Sequence, residues 1–103
     1  MSAALEAIEY NTVSGEHKEH KLRLYALSTC AFCKVAMTYL EEKGFEFQYV
    51  YLDQVDFDLK RAAKQELKET YDNIPVFPIL TIDDKDAISG FVETKWATLL
   101  GIE

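Results

Sequence analysis

Cys30 and Cys33 are the residues of this chain best suited to do chemistry. They stand three apart, after a strand-like run over residues 22–27 and at the head of a helix-like run over residues 34–43. A thiol pair at a strand-to-helix junction is what disulfide exchange requires: one sulfur exposed and activated, a second within reach to displace it. A cysteine at a helix N-terminus is stabilised as an anion by unpaired backbone N–H groups and by the positive end of the helix dipole. Cys30 fits that position. Cys33, one turn further in, is placed to attack a mixed disulfide formed at Cys30. Lys34 either adds positive charge beside the thiolate or simply faces water.

Other chemistry competes weakly for the same residues. A zinc site built on this pair needs two further ligands, and with no other cysteine in the chain only His17 and His20 remain as soft candidates. Their spacing is ligand-like, but they fall in the polar stretch 14–21, for which a charged, solvated loop is the simpler account. No metal site is expected.

The elements that must position the thiols are legible from periodicity. Leu22, Leu24 and Ala26 fall on one face of a strand and Tyr25 and Leu27 on the other, the pattern of a strand covered on both sides. Ser28 and Thr29 are candidate caps for the next helix, whose inward stripe is Cys33, Ala36 or Met37, and Leu40, and whose stop is Gly44. Aromatic and β-branched residues alternate through residues 45–52, giving a second strand. Asp56 caps a helix with apolar residues at Leu59, Ala63, Leu67 and Tyr71, closed by Asn73. After Pro75 and Pro78 come a short strand over 79–82, a polar turn over 83–86 and a second short strand over 87–89. Gly90 leads into a last helix in which Val92, Trp96, Leu99 and Leu100 have the spacing of one buried stripe.

The resulting order is β-α-β-α-β-β-α. A helix between the first two strands is the crossover that parallel pairing requires, and a tight turn between the last two requires antiparallel pairing. The fold class is therefore α/β, with a mixed sheet of about four strands and helices packed on both faces. Residues 1–20 form an extension with weak periodicity, either a loose tail or an extra edge strand near residues 10–13, and residues 21–103 form one domain.

With 103 residues, 49% of them apolar, there is room for one core that needs no disulfide framework. The net charge of −7 argues against general affinity for nucleic acid or anionic membrane, both of which depend on clustered Lys and Arg. No apolar stretch approaches the roughly 18 residues that span a bilayer. Glu6 and Glu9 stand where a signal peptide would be cationic and then apolar, so a cytoplasmic location is expected.

Three short segments resemble the glutaredoxin family. Thr29-Cys30-Ala31-Phe32-Cys33 is similar to that family's Thr-Cys-Pro-Tyr-Cys active site, Val76-Phe77-Pro78 to its Thr-Val-Pro segment, and Ile88-Ser89-Gly90-Phe91 to its Gly-Gly turn. The resemblance covers roughly residues 21–101 and implies a thioredoxin-like fold. It also implies a cis bond before Pro78, backbone groups of Phe77 offered to an extended thiol substrate, and substrate contacts around Thr29, Phe32, Gly90 and Phe91. From the residues alone, a proline opening a strand is equally an edge or turn residue, Gly90 a hairpin exit with positive φ, and Phe91 a core plug.

Departures from the family pattern bear on the partner. Leu27 stands where dithiol glutaredoxins carry a lysine that helps hold a glutathione carboxylate, and Val92-Glu93 replaces their Ser/Thr-Asp pair. Ala31 replaces the proline between the cysteines, freeing one N–H at the helix start. Ser89-Gly90-Phe91 is similar to the Ser-Gly-Phe of glutaredoxin-like redoxins that accept electrons from thioredoxin reductase. The reading is a monomeric thiol-disulfide oxidoreductase with Cys30 as nucleophile and Cys33 as resolving thiol. It acts on protein or small-molecule disulfides, with thioredoxin reductase or glutathione as electron donor and no tightly bound cofactor. The alternative is an iron-sulfur module in which Cys30 ligates a cluster shared across a dimer.

Overall fold

The computed structural model describes residues 6–71, 76–83 and 85–101. Among the described residues the strands and longer helices follow one another as β1 (Asn11–Val13), β2 (Leu22–Ala26), α1 (Ala31–Glu42), β3 (Phe47–Tyr51), α2 (Phe57–Thr70), β4 (Ile79–Ile82), β5 (Asp86–Ser89) and α3 (Glu93–Leu100). A 3-10 turn, Leu52–Gln54, joins β3 to the approach of α2. The sheet order is β1-β3-β2-β4-β5, with β2 parallel to β3 and every other pair antiparallel.

Two apolar layers cover the sheet. Leu22, Leu24, Phe47, Leu80 and Ile82 pack with Ala36, Tyr39 and Leu40 of α1 and Trp96 and Leu100 of α3. On the opposite face, Tyr25, Val50, Leu52 and Ile79 pack with Ala63 and Leu67 of α2. The alternation expected for β2 holds, with Leu22 and Leu24 in one layer and Tyr25 in the other. Asp56 caps α2 as expected, its carboxylate accepting from the amides of Asp58 and Leu59 at 3.2 and 3.4 Å. Asn73, expected to close that helix, and Pro75 lie outside the described residues, and α2 is regular to Thr70.

The sheet has five strands rather than about four, because the extension contributes an edge strand. β1 pairs antiparallel with β3 through Asn11↔Tyr49, Thr12↔Gln48 and Val13↔Phe47. Ladder bonds come from the backbone, so three residues need little side-chain pattern to pair. Ile8 is buried in the α2-side layer and fastens the extension to the core. At Gly15 the chain crosses β3's approach so closely that a Cβ would fall 2.5 Å from the Phe45 carbonyl carbon, which only glycine tolerates.

Two further expectations are corrected. Val92 does not join the buried stripe of α3: it is the N-cap, extended at φ −126°, and is 48% exposed. Leu99 also remains partly exposed, so Trp96 and Leu100 alone carry that face into the core. Ser28 and Thr29 do not cap α1; Cys30 does.

Candidate active site

The geometry of the site follows from strand register. Ala26 of β2 sits opposite Tyr51 of β3, so the chain leaves both parallel strands side by side, with Cys30 on one exit and Asp53 on the other. Tyr25 pairs with Ile79 and Ile79 with Ser89, which brings the start of β4 and the end of β5 to the same end of the sheet. The cysteine loop, the Val76-Phe77-Pro78 segment and the Ser89-Gly90-Phe91 segment, far apart in the chain, therefore converge.

Cys30 is the N-cap of α1, extended at φ −89° and ψ 115°. Its Sγ accepts the N–H of Cys33 at 3.2 Å, so the sulfur itself satisfies one of the free amides that open the helix. Its own N–H donates to the Leu27 carbonyl at 3.1 Å, turning the loop tightly out of β2. Serine or threonine could have taken that cap with oxygen, which is why the sequence alone favoured Ser28 or Thr29. Thr29 is exposed, and Ser28 is engaged elsewhere.

Cys33 is 0% exposed on the inward stripe with Ala36 and Leu40, whereas Cys30 is partly exposed. Both are free thiols. Burial pushes the Cys33 thiol up to about 12, and its hydrogen bond with Cys30 acts in the same direction. The site thus holds one partly exposed cysteine whose sulfur accepts a helix amide and one enclosed cysteine behind it, whose burial favours the neutral thiol. Phe32, between them in the chain, is 65% exposed and presents its ring to solvent.

The Phe77-Pro78 peptide bond is cis. Pro78 is buried, Phe77 is half-buried against the α2-side layer, and the Pro78 carbonyl accepts the Gly90 N–H at 2.8 Å. Gly90 has φ +75°, and its carbonyl accepts the Trp96 indole N–H at 3.0 Å. Phe91 packs edge-on against Trp96 and Tyr39, at 4.9 and 5.4 Å between centroids. Trp96 thereby acts as a strut from the core to the turn that supports the proline loop. Lys34 lines a cleft of about 380 Å³ between α1 and the start of α3, together with Val35, Tyr39, Phe91 and Glu93.

The two histidines take no part. The His20 imidazole lies 2.7 Å from the Asp83 carboxylate, and the His17 ring tilts against Phe45 at 5.2 Å. Among the described residues no group of three or more potential metal ligands occurs.

Sequence reasoning missed Asp53. Its carboxylate accepts the Ser28 N–H at 2.9 Å and also the Ser28 hydroxyl. These two bonds hold the carboxyl below the usual aspartate range. The signal was an acid two residues past the end of a strand lying parallel to the one that leads into the thiols, which becomes visible only once that pairing is known.

The glutaredoxin family model matches residues 22–87. The chain belongs to the glutaredoxin family. Among solved structures it is similar to the glutaredoxin of Methanosarcina mazei Go1, with 35% identity, 89% of this chain and 87% of that chain covered, and a TM-score of 0.77. The methanoredoxin of Methanosarcina acetivorans is 32% identical over 79% of this chain and 84% of that one, with a TM-score of 0.71. A glutaredoxin from Archaeoglobus fulgidus, 22% identical over 81% of this chain and 88% of that one, shares the fold at a TM-score of 0.69. No curated protein matches significantly. The fold of this glutaredoxin is accordingly thioredoxin-like, and its CxxC pair is Cys30 and Cys33. Leu27, which replaces a lysine of the family pattern, packs against the α2-side layer.

Proposed function

We propose that the protein is a thiol-disulfide oxidoreductase in which Cys30 attacks and Cys33 resolves. One observation carries the reading: the two sulfurs share a helix turn but not an environment, with Cys30 partly exposed and its sulfur accepting the Cys33 amide, and Cys33 fully enclosed. The Cys30 thiolate attacks one sulfur of a disulfide R–S–S–R′, forming a Cys30–S–S–R bond and releasing R′S⁻, which takes a proton from water. The Cys33 thiol then gives its proton to solvent and attacks the Cys30 sulfur. The Cys30–S–S–R bond breaks, RS⁻ leaves and is protonated, and an internal Cys30–Cys33 disulfide remains. Two electrons pass from the dithiol to the substrate, and an external thiol donor must return them.

Attack is the step the accessible sulfur can perform. The second thiol is too deeply placed to meet a partner first, and its high pKa keeps it protonated until a mixed disulfide forms beside it. Substrate would lie over the exposed Phe32 ring and against the backbone of Phe77. Of the two donor classes, glutathione is disfavoured: Leu27 offers no charge to a carboxylate and Val92 no hydroxyl, so a thioredoxin reductase is the expected donor. A reducing compartment such as the cytoplasm suits this cycle.

The test is a single turnover without any donor. Pre-reduced protein mixed with excess bis(2-hydroxyethyl) disulfide should lose two hydrogens by mass, gain no lasting adduct and release two thiols per chain. A protein that reduces nothing, or that purifies anaerobically as a coloured dimer, would contradict the reading. Turnover with thioredoxin reductase against turnover with glutathione and glutathione reductase then identifies the donor.

A further inference from the structure

We infer that Ser28 and Asp53 are positioning residues for the nucleophile, a clamp between the exits of two parallel strands that sets where the Cys30 sulfur points. The inference rests on the reading of Cys30 as the attacking thiol.

The clamp is built from two bonds rather than one. The Ser28 N–H donates to one Asp53 carboxylate oxygen at 2.9 Å, and the Ser28 hydroxyl donates to the other. Two bonds between one residue and one carboxylate fix orientation as well as distance. The partners are 25 positions apart in the chain, so this is a tertiary contact and not a local turn. Asp53 is a firm post. It sits in the 3-10 turn directly after Leu52, which is 0% exposed in the α2-side layer.

On the other side of the clamp the loop has little slack. Ser28 is two residues before Cys30, and the Cys30 N–H is tied back to Leu27, the residue before Ser28, at 3.1 Å. The clamp and this short turn together fix the peptides from Leu27 to Cys30. Those peptides determine whether the Cys30 sulfur reaches the Cys33 N–H. Without the clamp the loop could rotate outward while α1, fastened by Ala36 and Leu40, stayed in place. A small misplacement of an attacking atom is enough to cost rate without costing fold.

The carboxylate also contributes charge. Cys30 and Asp53 both oppose ionisation of Cys33, and Tyr51, at the end of β3, feels both Cys33 and Asp53. Lys60 of α2 acts on Asp53 in the opposite sense. Asparagine at 53 would keep an oxygen for the Ser28 N–H and an amide N–H for the Ser28 hydroxyl, while removing the charge. That separates holding the loop from the electrostatic effect on Cys33.

The experiment compares the parent with Asp53→Ala, Asp53→Asn and Ser28→Ala in single-turnover reduction of bis(2-hydroxyethyl) disulfide, following attack and resolution separately. Attack by Asp53→Ala should slow about tenfold, attack by Asp53→Asn should stay within about twofold of the parent, and Ser28→Ala should fall between. In Asp53→Asn the pH dependence of resolution should move to lower pH, a change that a merely structural role would not produce. Parent-like attack by Asp53→Ala, or attack by Asp53→Asn as slow as that of Asp53→Ala, would overturn the clamp. If Asp53→Ala does not fold, Ser28→Ala decides, and parent-like attack by it overturns the clamp. A parent that reduces no disulfide sinks the proposed function instead, so the two failures are told apart.

Discussion

Two pairs of reactive side chains, each spaced three apart, flank strand β2: His17 and His20 before it, Cys30 and Cys33 after it. Spacing alone does not distinguish them. The histidines enter an irregular, solvated segment, where their side chains stay 47% and 43% exposed and each finds a carboxylate at the surface. The cysteines enter a helix, so three residues make nearly one full turn and the two side chains share a face at different depths. One sulfur caps the helix and the other is enclosed. A spacing becomes a site when the element it enters gives its two members unequal surroundings.

The comparison is broken most directly at the sulfurs. Cys30→Ser should lower single-turnover disulfide reduction by at least about a thousandfold, while His17→Ala and His20→Ala should each leave it within about twofold. A comparable loss from either histidine variant would place the N-terminal pair in the chemistry. Next in size is the core beneath the site. Trp96→Ala removes a 0% exposed indole and its bond to Gly90, and should cost about 3–5 kcal/mol in denaturant unfolding. A loss below about 1 kcal/mol would mean that the strut under the proline loop is not packed as described.

The buried thiol supplies an effect of intermediate size that depends on pH. Burial pushes the Cys33 thiol up to about 12 in the folded chain, against about 8.5 for an unperturbed cysteine. Because the folded value is the higher one, this contribution to stability is fully present below about pH 8.5 and is lost as pH rises toward 12, where only the unfolded chain ionises readily. The reduced parent should therefore lose stability relative to Cys33→Ala over that interval, as read from denaturant midpoints. Parallel pH curves would show that Cys33 is not shielded. The smallest effect belongs to the histidine side. Hydrogen bonds from the Lys21 amide and from His20 hold Asp83 below its usual range, so its contribution is present above about pH 4 and lost as pH falls through the depressed value. Asp83→Asn should flatten that acid limb and move the neutral-pH melting temperature by no more than about 2 °C, since the pair is exposed.

Much of the scaffold was legible because periodicity reports burial. The two-sided alternation of Leu22, Leu24 and Tyr25, the Cys33-Ala36-Leu40 stripe and the Asp56 cap each express a local rule that the tertiary structure obeys. What escaped was settled between distant residues. For residues 10–13 the sequence leaves a loose tail and an edge strand both open, because β1 is held by backbone pairing, which leaves almost no trace in three side chains. Arg23, a charge inside β2 to which the periodicity assigns no place, is only 7% exposed, its guanidinium lying over the Tyr10 ring and bonded to Gln48 and Glu6. Asp53 gains its place only because β2 and β3 run parallel in a particular register. Val92 was lost for a simpler reason: the helix begins one residue later, so a side chain spaced for the stripe falls outside it.

Trapping separates the roles of the two sulfurs. Cys33→Ser protein treated with bis(2-hydroxyethyl) disulfide should hold a stable mixed disulfide that peptide mass spectrometry places on Cys30, while Cys30→Ser protein should form none at neutral pH. An adduct on Cys33 in the Cys30→Ser protein, formed at a rate comparable to that at Cys30 in Cys33→Ser, would contradict the account.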